Sequence, residues 1–155
     1  MTDAVVRSAR PEDCEQVWPL ARDLATSHQV ERGAFVATFA GLLDSPDALL
    51  LVAEVDGRSV AYLLAHRHCT FHANGTAVWV DEVMVEPAVR GAGVGRALMR
   101  AAEQWARDHD AAYVALATRR AGAFYAALDF EESARYYKRT LRQPESPALP
   151  GAPAG

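Results

Sequence analysis

One stretch limits what this chain can become: Val83-Met84-Val85-Glu86-Pro87-Ala88-Val89-Arg90-Gly91-Ala92-Gly93-Val94-Gly95-Arg96-Ala97-Leu98. An apolar strand runs up to Val85, and Pro87 removes the backbone donor that would extend its ladder. Gly91, Gly93 and Gly95 then fall at every second position. Immediately after them Val94, Leu98, Ala101, Ala102 and Trp105 recur at helical spacing and form one apolar face. Glycines at a helix start leave backbone N–H groups bare, where the first turn carries unpaired donors and a partial positive charge. The stretch therefore predicts an anion site, best suited to a phosphate or diphosphate, with Arg90 and Arg96 adding formal charge.

Two familiar glycine loops do not fit. A dinucleotide loop needs a third glycine where Arg96 stands, and an acid about 20 residues on; the strand Tyr113 to Ala117 ends in Thr118 instead. That removes a nucleotide-dependent oxidoreductase. A P-loop needs Lys-Ser/Thr after its last glycine, and here Arg96-Ala97 follow Gly95.

Elements on either side follow from pattern. Val5 to Ala9 reads as a strand, and Pro11-Glu12-Asp13 opens a helix continued by Val17, Leu20, Ala21 and Leu24, with a kink or early break expected at Pro19. Ser27-His28-Gln29 is a link, and a second helix covers Arg32 to Leu43. Leu49 to Glu54 is a strand, turned at Asp56-Gly57 into Val60 to His66. A second turn at His72 to Gly75 leads into Thr76 to Val85. The helix at Gly93 ends near His109-Asp110. Tyr113 to Ala117 reads as a strand buried on both sides, Gly122 to Leu128 as a short helix, and 130–139 as two short closing strands or one hairpin-like pair. Residues 143–155 hold four prolines and two glycines and are expected to be a disordered tail after one domain over 1–142.

The run Arg90-Gly91-Ala92-Gly93-Val94-Gly95 after an apolar strand resembles the acyl-coenzyme A loop of the Gcn5-related N-acetyltransferase (GNAT) family, and the order of elements matches that family up to Leu141. The resemblance implies an α+β fold of three layers. Its mixed, mostly antiparallel sheet has strands 4 and 5 splayed apart around the pantetheine arm. It implies acetyl-CoA as co-substrate and no metal, with Val83, Met84, Val85 and the loop Arg90, Gly91, Ala92, Gly93, Val94, Gly95 and Arg96 around the coenzyme. A strand-4 backbone N–H near Val83 to Val85 would hold the oxyanion. The family often has an asparagine after strand 5 that touches the pantetheine; Thr118 is nearest to that place here.

Amine acetylation needs a neutral amine, and deprotonating an alkylamine at neutral pH costs about 4–5 kcal/mol, which a carboxylate base relieves. Asp81 and Glu82 stand just before the loop. Simple alternation puts Val78, Val80, Glu82 and Met84 on one side and Trp79, Asp81, Val83 and Val85 on the other, so one acid faces the cleft. The resemblance favours Glu82 as base and leaves Asp81 to bind a cationic substrate, or to act as base if a bulge shifts the alternation. Phe124-Tyr125-Ala126-Ala127-Leu128-Asp129-Phe130 resembles the family segment whose tyrosine protonates the departing thiolate, which points to Tyr125; Asp129 replaces the usual glycine and has to turn left-handed. By the same resemblance Trp18, His28 and Phe35 sit near the acceptor pocket, with His28 taken as a substrate contact. Arg119-Arg120 would reach the coenzyme's 3'-phosphate or stand as a solvated pair.

The resulting expectation is a direct transfer of acetyl to a primary amine of a small molecule or protein; the alternative is an inactive acyl-CoA sensor. Sixteen basic and twenty acidic residues give a net charge of −4, which argues against a nucleic-acid partner. No apolar run approaches the roughly 20 residues a bilayer needs. Met1-Thr2-Asp3-Ala4 carries no export signal, and Cys14 and Cys69, read as buried or inert, form no C-x-x-C, so a cytoplasmic setting is expected. His66, His68, His72 and Cys69 match no metal-ligand spacing. A homodimer is an expectation from the family, with no residue to prove it.

Overall fold

The structure is a computed structural model that describes residues 3–26 and 29–142. Its sheet has five strands in the order β1-β2-β3-β4-β5: Val5–Ser8, Ala48–Val55, Arg58–Thr70, Gly75–Val85 and Val114–Leu116. The first four pair antiparallel, and β5 joins β4 in parallel. Helices α1 (Cys14–Leu24) and α2 (Arg32–Asp44) cover one face, α3 (Val94–Asp108) the other, and the short α4 (Gly122–Ala126) follows β5. The result is the expected three-layer α+β arrangement.

Two cores explain why β2 and β3 read as unbroken apolar runs: both faces are covered. Leu49, Leu51, Ala61, Leu63 and Ala65 meet Leu98, Met99 and Ala102 of α3. Leu50, Val52, Tyr62 and Leu64 meet Val17, Leu20 and Phe39 of the α1–α2 layer. At the β2–β3 hairpin Asp56 and Gly57 take φ of 52° and 76°, the paired left-handed turn that Asp-Gly favours.

Four expectations are corrected. Helix α1 continues through Pro19. The bond that proline forfeits would run to Glu15, an exposed residue in the first turn, where water serves the carbonyl, while buried Val17, Leu20 and Ala21 hold the helix on the sheet. Strand β5 is only half-buried, with Tyr113 41% exposed, because it is the sheet edge. Residues 130–141 form no strand. Three residues of β5 are a short template, and Glu131, Glu132, Arg135, Lys138 and Arg139 leave no alternating apolar face to bury. Cys69 is exposed, while Cys14 is partly buried, which pushes its thiol upward. The tail 143–155 and the link residue His28 lie outside the described residues.

Candidate active site

The glycine stretch is built by three different constraints. A single 3-10 turn, Pro87–Val89, closes β4. Gly91 and Gly93 then take φ of 83° and 86°, where a Cβ is strained. Gly93 is the N-cap of α3 and has no side chain to cap it, and the first helical bond runs from the Ala97 N–H to the Gly93 carbonyl at 3.0 Å. The N–H groups of Val94, Gly95 and Arg96 therefore lack acceptors within the helix. Gly95 sits in close quarters: a Cβ there would stand 3.2 Å from Phe124 Cζ, tight enough that the ring would have to shift.

These amides open on a cleft of about 740 Å³. Every predicted coenzyme residue except Ala92 and Thr118 borders it, as do Tyr125 and Arg120. Arg90 is folded back on its own strand, its Nε donating to the Val85 carbonyl at 3.0 Å. Arg96 is exposed and makes no ion pair among the described residues. The donors available to a phosphate are thus bare amides at a helix N-terminus and two guanidinium groups, Arg96 and Arg120, with no ion pair among the described residues. The Thr118 hydroxyl accepts from the Ala121 N–H at 3.0 Å and so braces the start of α4 instead of facing this cleft.

The sheet opens beside the loop. Pairing of β4 with β5 stops at Val80 and Leu116. Beyond it Glu86 N–H donates to the Val60 carbonyl at 2.8 Å, so Glu86, Met84 and Glu82 direct their backbone groups toward β3. Val83 and Val85 direct theirs the other way, into the gap, with the Val85 carbonyl already taken by Arg90. Free strand N–H donors at Val83 and Val85 suit a carbonyl oxygen placed there.

The alternation expected on β4 is corrected by a bulge. Leu64 pairs with Glu82 and Ala65 with Val80, leaving Asp81 as the extra residue. Val78 and Val80 consequently share the α3 core with Val83 and Val85, while Met84 sits in the α1–α2 core. Both acids are turned to that second face. Glu82 Oε1 accepts from the Tyr62 hydroxyl at 2.8 Å, and Asp81 Oδ2 from His66 Nδ1 at 2.7 Å. A carboxylate only accepts, so His66 carries its hydrogen on Nδ1 in this pair. Tyr62 and His66 lie four residues apart on one side of β3. Burial foremost, then the charge and hydrogen bond of Glu82, push the Tyr62 hydroxyl far above its usual range, so it remains a donor.

Tyr62 was not among the predicted site residues. The signal was available: it is the lone hydroxyl in the apolar run from Val60 to Ala65, and a buried phenol requires an acceptor. Tyr125, named from the motif, borders the glycine-loop cleft. It is half-buried between Phe124 and Phe130, at ring distances of 5.0 and 5.8 Å, and burial raises its hydroxyl above 10.0. Asp129 takes φ of 66°, and the N–H of Phe130 reaches the Tyr125 carbonyl at 3.0 Å, so aspartate closes α4 as glycine would.

A second cavity of about 860 Å³ lies past the bulge, between Trp79 and Asp81 of β4, Thr118 and Arg119 after β5, and residues of 132–138. The two spaces are contiguous in the chain: Asp81 borders one and Val83 the other, and Arg119 borders one and Arg120 the other. The predicted pair Arg119-Arg120 is thereby split. Trp18 and Phe35 meet as a tilted pair at 5.2 Å and border neither space. Among the described residues no three His, Cys, Asp or Glu side chains stand together as a metal site; His66 is bonded to Asp81, and His72 meets the Tyr113 ring edge-on at 6.4 Å. Nor is any described helix long and apolar enough to cross a membrane.

Residues 46–132 match the profile described as acetyltransferase (GNAT) domain. The chain is 30% identical over 109 residues to aminoglycoside N(6')-acetyltransferase type 1 of Stenotrophomonas maltophilia, covering 64% of this chain and 71% of that protein. It is 30% identical over 97 residues to L-2,4-diaminobutyric acid acetyltransferase of Nocardia farcinica, covering 63% of this chain and 47% of that protein. In fold it superposes on an aminoglycoside N-acetyltransferase in complex with CoA at a TM-score of 0.79 and 21% identity, over 92% of this chain and 97% of the other.

Proposed function

The chain belongs to the GNAT acetyltransferase family and is an acetyl-CoA-dependent N-acetyltransferase, and from that premise we propose that it acetylates a primary amine of a small molecule by direct attack in a ternary complex. One observation carries the proposal: Glu82 is the single β4 residue between the glycine-loop cleft and the cavity at Asp81. A base set there reaches an amine entering from one side toward a carbonyl held from the other.

The coenzyme fits the first cleft by the chemistry of its walls. The N–H groups of Val94, Gly95 and Arg96, with the Arg96 and Arg120 side chains, hold its diphosphate. When bound, acetyl-CoA supplies the activated acetyl group. The Val83 and Val85 N–H groups polarise the carbonyl oxygen in the strand gap. Asp81, kept in place by His66, attracts the acceptor ammonium. Glu82, aimed by Tyr62, takes the proton from the attacking nitrogen, directly or through water. Tyr125 stands on the sulfur side. Burial raises the Tyr125 hydroxyl above its ordinary value and makes it a weaker acid. Its contribution is a hydrogen bond that eases the sulfur away as negative charge builds on it. The acceptors named for the two curated relatives, an aminoglycoside and diaminobutyric acid, support a small amine as the acceptor class.

The test couples two measurements on the intact chain. Titration calorimetry with acetyl-CoA reports the first cleft, and free-thiol release with a panel of small amines reports turnover. Binding with amine-dependent thiol release is expected. Binding without thiol release for any amine would remove the transfer reading.

A further inference from the structure

The charges lining the cavity at Asp81 do not match a bare polycation. Two acids face it, Asp81 and Glu132, against three cations, Arg119, Arg135 and Lys138. One oxygen of Asp81 is already engaged by His66 at 2.7 Å. None of the three cations has an ion-pair partner among the described residues. Unpaired guanidinium and ammonium groups converging on a cavity repel an additional positive centre and offer a carboxylate or phosphate charge-assisted hydrogen bonds. Asp81 lies next to the proposed base, at the reacting end; Arg135 and Lys138 come from a different part of the chain, the segment 132–138. We propose that the acceptor carries, besides its reacting amine, an anionic group held by Arg119, Arg135 and Lys138, so that the amine is directed to Asp81 and Glu82 and the anion away from them. This rests on the reading of that cavity as the acceptor site. It narrows the class from amines in general to amino acids and similar zwitterions.

A matched pair of probes isolates the anion: ornithine and 1,4-diaminobutane share a carbon chain and a terminal amine and differ in the carboxylate. Kanamycin serves as a polycationic third arm. With acetyl-CoA saturating, kcat/KM for ornithine should exceed that for 1,4-diaminobutane by about tenfold or more, the usual worth of a hydrogen bond to a charged group. Arg135→Ala and Arg119→Ala should each shrink that ratio severalfold, and Arg135→Lys should restore most of it. Preference for 1,4-diaminobutane or kanamycin would overturn the inference while amine acetylation stood. A ratio unmoved by the variants, with only the KM for acetyl-CoA raised, would also overturn it and assign the cations to the coenzyme. If none of the three amines is acetylated although acetyl-CoA binds, this inference falls, while the transfer reading is decided by the wider panel of amines.

Discussion

Tyr62 and Glu82 form a unit whose parts are not separable. The phenol is 2% exposed and its hydroxyl bonds the carboxylate at 2.8 Å. Glu82→Gln removes the proposed base, and a general base contributes on the order of 10²–10⁴ in rate. That loss should appear in kcat more than in the KM for acetyl-CoA in steady-state assays. Tyr62→Phe keeps the ring but frees the carboxylate to wander, and should cost about tenfold in kcat. Combined with Glu82→Gln it should cost little further, since Tyr62 acts only through Glu82; additive losses would show an independent role. Tyr125→Phe belongs to the other side of the reaction. It should lower kcat about tenfold, the worth of one hydrogen bond to developing charge, and leave the calorimetric affinity for acetyl-CoA nearly intact. The candidate base was legible because two acids precede a glycine loop; Tyr62 showed in the sequence only as a hydroxyl in an apolar run, and its place beside Glu82 is set by the register alone.

At the level of elements, the strand-loop-helix unit was the most legible part, since each of its signals is local. Pro87 ends the strand, Gly93 caps the helix, and the apolar face of α3 follows the 3.6-residue period. The bulge at Asp81 was illegible for the opposite reason. It exists because β3 and β4 both present apolar residues to α3 across a register shift, a fact about two strands that one strand's alternation cannot contain. The same contrast makes glycines testable. Gly41 lies inside α2, is exposed, and has nothing within 4 Å of an added Cβ. Gly41→Ala should stabilise the protein by about 0.5–1 kcal/mol. Gly93 has equal space but a φ of 86°. Gly93→Ala should destabilise by about 1–2 kcal/mol through the backbone alone, and should also weaken acetyl-CoA binding as the amides turn. Thermal unfolding reads the opposite signs, and calorimetry reads the second effect.

For the molecule as a whole, the last part of the chain was misread, because closing strands depend on a sheet edge long enough to receive them and β5 provides three residues. The opposite edge is held by charge. Arg7 on β1 meets Asp13 in two bonds of 2.8 Å and Glu54 on β2 at 2.6 Å. The Asp13 carboxylate, 6% exposed, also accepts from the Arg10 N–H at 2.7 Å. The cluster thus ties β1, the entry to α1 and β2 together. Arg7 foremost holds the Asp13 carboxyl below its ordinary 3.8, against the opposing pull of burial. A depressed carboxyl contributes stability that is fully present above its unfolded value and is lost as pH falls through its folded one. Arg7→Gln leaves a buried carboxylate without its counter-charge and should cost about 3 kcal/mol at pH 7 by urea denaturation. The native protein should itself lose stability as pH drops below 3.8, and there the gap between native and variant should narrow, since protonated Asp13 no longer distinguishes them. A gap that stayed constant from neutral to acid pH would mean that Arg7 stabilises this edge by packing and not by its charge.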